Sequence, residues 1–406
     1  AQAPALISDH SDRVEVVSSE PLVDADRILR KFARRAFRRK VTDADVKPFV
    51  ALVESKLADK YSFEQSVRVG LAAILVSPEF LFLREEPGQL DDFALASRLS
   101  YFLWGTMPDE ELLELAEKSL LNTGGEKGRE GEKGKSTGNA IISSSPLLPL
   151  APSSTLSEQV ERMLQHPRAQ QFTKNFVGQW LGLRDIDFTE PSHILYPEFD
   201  DMLKESMVRE TELFFAEVLK NDLSLTNFVA SDFSMLNGRL AKHYGIPFTS
   251  SPPPGENGDS SVGNFAFRKT PLPPESHRGG MLTMASVLKV TANGSSTSPV
   301  MRGAWVLDRI LGQPPSPPPD NVAALEPDTR GATTIREQLA KHREIESCAS
   351  CHVDIDPPGF ALENFDVLGG WRDRYRATAT DTAPAIGFGK NGWPFSFTFA
   401  QPVDPS

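Results

Sequence analysis

Apolar positions recur at helical spacing along most of this chain. From Asp26 to Lys40, Ile28, Leu29, Phe32, Ala33, Ala36 and Phe37 share one face. Arg27, Arg30, Lys31, Arg34, Arg35, Arg38 and Arg39 take the other, read as a solvated face in preference to a patch for an anionic partner. Thr42, with Asp45 three residues on, has the form of a capping box and predicts a second helix with Val46, Phe49, Val50, Val53 and Leu57 inward. A third helix is predicted from Phe63 to Val76, stopping before Pro78. Asp91 or Asp92 caps the next, and Gly105 to Pro108 breaks it. Asp109, Glu110 and Glu111 then open another, where they suit the helix dipole.

Helical spacing returns at Leu156–Leu164, breaks at Pro167 and resumes with Phe172, Phe176, Val177, Trp180 and Leu181. A long helix is predicted from Pro197 to Lys220. Its Glu205, Glu210, Glu212 and Glu217 suggest a di-iron bundle, which would need Glu-x-x-His on helices. The one match, Glu190 to His193, contains Pro191 and sits in a loop, so these glutamates are read as a solvated face. Asn237–Tyr244 reads as a short helix closed by Gly245. Ser298 caps a helix that starts at Pro299, with Val300, Ala304, Leu307 and Leu311 inward. A last helix runs from about Thr333 to His342. Ile355 to Phe360, with two prolines and a glycine, predicts a sharp turn, followed by one or two helical turns from Ala361 to Asp366. The fold class is mainly α, in several small helical domains.

Breaks in this pattern set the expected boundaries. Residues 1–24 form a flexible lead-in and 25–88 a small helical domain. A second helical domain covers 89–248, with a low-complexity insertion at 122–155 rich in Gly, Glu, Lys, Ser and Pro. Residues 249–276 read as a Pro/Gly-rich linker, 277–375 as the domain holding the motif below, and 376–406 as a truncated C-terminal segment. Gly134-Lys135-Ser136 is not a phosphate loop, because Arg129 stands where the upstream glycine belongs. A net charge of −12 argues against general nucleic-acid binding. No run of 18 apolar residues suggests a spanning helix. The chain starts at Ala1 without methionine, so either a removed signal peptide or a piece of a longer protein is expected.

Chemistry concentrates at Cys348-Ala349-Ser350-Cys351-His352, which holds both cysteines of the chain. C-x-x-C-H is the attachment signature of a c-type haem: two thioethers to the vinyl groups and a proximal histidine on iron. A redox dithiol would want parallel strands nearby, and a zinc site would want more soft ligands. Covalent haem c is thus the expected cofactor, with Cys348, Cys351 and His352 holding it. The expected unit is cytochrome c-like, and the expected location periplasmic or exported. Candidates for the far side of the iron are His342, Met281, Met284, Met301 and His277. Arg278, Arg302 and Arg372 are candidate propionate partners. Phe360, Leu362, Phe365 and Trp371 could wall the pocket or be ordinary core.

Four stretches carry a resemblance. They are Arg34-Arg35-Ala36-Phe37-Arg38-Arg39 with Val76-Ser77-Pro78-Glu79-Phe80-Leu81; Leu95 to Trp104; Arg278-Gly279-Gly280 through Thr297-Ser298-Pro299-Val300 to Arg302-Gly303; and Cys348 to Arg372. In these the chain resembles the multidomain haem proteins of planctomycetes and their relatives, built from serially named domains of unknown function. The resemblance implies a largely helical, exported c-type haem protein. Relatives usually carry a further N-terminal cytochrome c domain and a helical C-terminal domain, so a fragment or a shortened gene product is expected. Electron transfer through one haem, to a redox partner protein, is the leading expectation. The alternatives are a peroxidase- or oxidase-type haem enzyme, or a structural protein with an accessory haem.

Overall fold

The computed structural model describes residues 16–83, 85, 87–122, 154–248, 265–316, 334–343, 346–378 and 382–403, without the side chains of 154, 338, 341, 342 and 346–348. About 55% of the described residues are helical, so the mainly α expectation holds. The chain divides into two compact units, Ala1–Phe172 and Thr173–Ser406.

The first unit opens with α1 (Pro21–Phe37), α2 (Asp43–Ala58), α3 (Phe63–Leu75) and the single turn α4 (Pro78–Leu81). Pro21 sits in the first turn of α1, where its missing N–H costs nothing. Thr42 and Asp45 form the expected capping box on α2, and Ser62 and Gln65 form another on α3. Leu29, Ala33, Phe37, Val46, Val53, Val67 and Ile74 make the core of these helices. The basic face of α1 is not uniformly solvated. Arg38 is buried, and its guanidinium donates to the carbonyls of Ala36, Glu79, Phe80 and Phe82, tying α1 to α4. Arg34 pairs with Glu110 and Glu117, and Arg39 with Asp45 and Glu79. A second core joins α5 (Asp92–Trp104), α6 (Glu110–Glu117) and α7 (Ser154–Gln165), with Trp104 donating to Met163 O at 3.0 Å. The expected insertion at 122–155 lies almost wholly outside the described residues.

The boundary between the units falls inside α8 (Gln170–Trp180). The second unit continues with α9 (Asp201–Lys220), β1 (Phe233–Leu236), α10 (Gly238–Tyr244), β2 (Arg268–Pro271), α11 (Ala285–Val290), α12 (Pro299–Arg309), α13 (Ile335–His342) and α14 (Glu346–Ala361). It closes with β3 (Arg374–Ala377), β4 (Ala385–Phe388) and β5 (Pro394–Pro402). Leu203, Met207, Leu236, Leu240, Ala285 and Leu368 form its main core. Strands β1 and β2 pair antiparallel, Phe233 opposite Pro271, so the end of the expected linker is a folded strand. The expected C-terminal segment also folds, as an antiparallel sheet in the order β3-β5-β4. Phe395, Phe397 and Phe399 alternate along β5, a strand period beside which helical signals are weak.

Three further readings need correction. Glu210 and Glu212 on α9 are buried, not part of a solvated face. Leu311 is exposed, and the inward face of α12 is Pro299, Arg302, Gly303, Val306 and Leu307. The sharp turn expected at Ile355–Phe360 is instead the second half of α14, with Pro357 and Pro358 inside the helix. Each proline removes one backbone bond to the carbonyl four residues back. Packing on α12 overrides that loss. A Cβ at Gly303 would lie 1.8 Å from Ile355 O, and one at Gly359 would lie 1.9 Å from Pro299 O. The two glycines thus let the backbones of α12 and α14 touch reciprocally, as small residues do at close crossings.

Candidate functional site

All five positions of the Cys348–His352 motif lie in the first half of α14. Cys351 is half-buried and in no disulfide, whereas the side chain of Cys348 lies outside the described residues. His352 Nδ1 lies 2.8 Å from Oδ1 of Asp356, four residues on and therefore on the same face of the helix. Asp356 is fully buried, and its Oδ2 has no hydrogen bond. Among the described residues, Arg343 Nε, just after α13, lies 3.6 Å from that oxygen. With the carboxylate as acceptor, Nδ1 carries the hydrogen and the lone pair is left on Nε2. Beside this face, α13 and α14 flank an open cavity of about 650 Å³, whose lining includes Arg336, Glu337, Arg343, Asp356, Pro357 and Phe360.

The donor chemistry fits a c-type haem. A thiol outside any disulfide and an imidazole held by its Nδ1 sit at consecutive helical positions, and Asp356, the partner of that imidazole, lines the open volume. It fits a thioredoxin-type dithiol poorly, because every strand pair among the described residues is antiparallel. Among those residues no three His, Cys, Asp or Glu converge as a metal site would require.

The other sequence candidates scatter. Met281 and Met284 are buried, and Met284 lines a small cavity beside Glu210. Met301 projects from α12, 64% exposed. His277 takes a left-handed backbone and stacks on Trp371 at 3.8 Å. The side chain of His342, the last residue of α13, lies outside the described residues. Of the four expected pocket walls, Phe360 lines the cavity by Asp356. Leu362 and Phe365 pack with Leu288 and Val306, and Trp371 is half-exposed.

The three arginines proposed for propionates direct most of their donors to groups inside the protein, although Nε of Arg278 and of Arg302 has no hydrogen bond. Arg302, 1% exposed, gathers the chain after α14 by donating to Leu362 O, Phe365 O and Asp366 O at 2.6 to 2.9 Å, and to Leu288 O at 3.3 Å. Burial pulls its pKa below the usual arginine value. Arg372 donates to Glu363 O and to Thr297 Oγ1, lying over the Tyr375 ring. Arg278 donates to Thr283 O and Gly369 O and lies 3.5 Å from the Tyr244 ring centroid. The guanidinium groups on the α13–α14 cavity are those of Arg336 and Arg343.

Sequence reasoning missed two features. One is Asp356, whose only signal is the four-residue spacing from His352. The other is Glu210, fully enclosed and accepting from Tyr244 Oη at 2.5 Å and Ser234 Oγ at 2.7 Å. Burial raises its carboxyl pKa to about 7, against the pull of those two hydroxyls and of Arg278. No single-sequence signal marks it among the other glutamates of α9.

Three stretches of the chain match domain families. Residues 24–85 match PSD5, protein of unknown function (DUF1595). Residues 90–130 and 149–246 match PSD4, protein of unknown function (DUF1592), with 131–148 left between. Residues 278–375, which hold the Cys348–His352 motif, match PSCyt3, protein of unknown function (DUF1588). These are planctomycete-type cytochrome c-associated domains. No curated protein and no solved structure matches the chain. Among the described residues no helix is long and apolar enough to cross a membrane.

Proposed function

We propose that the chain is a c-type haem protein that transfers electrons through one covalently attached haem. Cys348 and Cys351 would form the thioethers, and His352 would ligate iron through Nε2. The observation that supports this most directly is the grip of buried Asp356 on His352 Nδ1, within the helix that carries both cysteines. Bound there, the haem supplies a one-electron couple. The chain's own part is to hold the imidazole in one tautomer and to anchor α14 against α12. Phe360 and Ala340 would shed water from the cavity, where the charges of Arg336 and Arg343 are balanced by Glu337 and Asp356. Haem c attachment implies export, and electron transfer implies a protein redox partner. The association of all three domain families with cytochrome c proteins is in keeping with this.

Absorption spectra of the oxidised and reduced protein test the reading. Expression together with a haem-attachment system should give a low-spin haem that cycles reversibly between the two states. A high-spin spectrum with turnover of peroxide would replace electron transfer by an enzymatic role.

A further inference from the structure

Asp356 uses its buried carboxylate on little else than His352. Oδ1 accepts from Nδ1 at 2.8 Å, and Oδ2 has no hydrogen bond. Burying a carboxylate is costly, and two prolines one residue on make this stretch of helix costlier still. A carboxylate that merely ended a helix or paired with a surface cation would not need full enclosure. Its position four residues after the histidine, on the same face, makes it the group that sets the character of the imidazole.

We infer that Asp356 is a positioning residue that strengthens electron donation from His352 to iron and so holds the haem toward its ferric state. This rests on the haem reading above. A histidine whose Nδ1–H meets a carboxylate is a stronger ligand than one that meets a neutral carbonyl, because negative charge is drawn onto the ring. Stronger donation favours the higher charge on iron and lowers the midpoint potential. Arg343, 3.6 Å from the second oxygen and 37% exposed at its side chain, partly offsets the carboxylate charge and moderates the effect. The pair thus tunes the potential in opposite senses from the two oxygens of one carboxylate.

The test is the midpoint potential of the haem-loaded full chain and two variants. Asp356→Asn keeps an acceptor for Nδ1–H and removes the charge. It should raise the potential by about a tenfold change in the ferric–ferrous equilibrium, about 59 mV for one electron. Arg343→Gln, at a half-exposed site that tolerates change, should shift it the other way. Nitrogen NMR of His352 in the haem-free chain gives a second readout. Wild type and D356N should show the Nδ1–H tautomer, and Asp356→Ala should lose that preference. Haem attached with an unchanged or lowered potential in D356N, or equal shifts of one sign in both variants, overturns this inference and leaves the haem reading standing. Failure of the wild type to take up covalent haem overturns both.

Discussion

Glu210 on α9 and Asp356 on α14 are both enclosed carboxylates in the second unit, at 1% and 0% exposure, yet their partners differ in kind. Glu210 accepts from two neutral hydroxyls, those of Ser234 and Tyr244, and burial holds its pKa up to about 7. Asp356 faces an imidazole at 2.8 Å and a guanidinium at 3.6 Å, groups that carry or can carry positive charge. A buried acid among hydroxyls is satisfied by keeping its proton, and so serves as a structural knot. A buried acid whose one hydrogen bond among the described residues goes to the histidine of a cofactor motif is instead placed for that histidine. Burial alone therefore does not mark a functional carboxylate; the donor set decides.

The largest expected effect bears on the Asp356 side. Gly359→Ala would put a methyl 1.9 Å from Pro299 O and push α14 off α12. We expect a loss of about 4 kcal/mol, or failure to fold, by urea denaturation. A change under about 1 kcal/mol would show that the crossing does not hold α14 and Asp356 in place.

The pH dependence of stability bears on the Glu210 side. In the folded chain Glu210 keeps its proton up to about pH 7, whereas the unfolded chain releases it near 4.5. Between those values the folded state binds more protons, so stability falls as pH rises. The contribution is whole below 4.5, is lost through 7, and amounts to roughly 3 kcal/mol. His243, whose burial lowers its pKa, acts in the opposite sense below 6.5. The difference between wild type and Glu210→Gln isolates the Glu210 share. Denaturation midpoints compared from pH 4.5 to 8 should converge at the acid end, with the wild type falling behind as pH rises. Parallel curves would mean that Glu210 is ionised throughout.

The smallest effect sharpens the contrast. Asp356→Asn should cost only about 1 kcal/mol of stability, because an amide still accepts from Nδ1–H. A loss like that of Gly359→Ala would make Asp356 a structural residue in the manner of Glu210.

Much of the fold was legible before the structure. The caps at Thr42, Asp91 and Ser298, and the glycine stop at Gly245, are local chemistry, and each delimits the expected helix. What misled were residues whose setting is tertiary. Pro357 and Pro358 read as a turn because their helical cost is local, while the crossing at Gly303 that offsets it lies more than fifty residues away. Arg38 and Arg302 read as a solvated charge and a propionate partner. Instead each is enclosed by backbone carbonyls that the pattern of the sequence does not display. The motif at Cys348–His352 was legible from its spacing, and Asp356 was not, because an aspartate four residues from a histidine is common on any helix.

Intact mass spectrometry of the chain exported in a host with haem-attachment machinery tests the central proposal most directly. The expected result is a mass higher by one haem, retained after acidic organic extraction and lost in the double variant Cys348→Ala, Cys351→Ala. A wild-type chain at its unmodified mass, or a haem that the extraction removes, would contradict it.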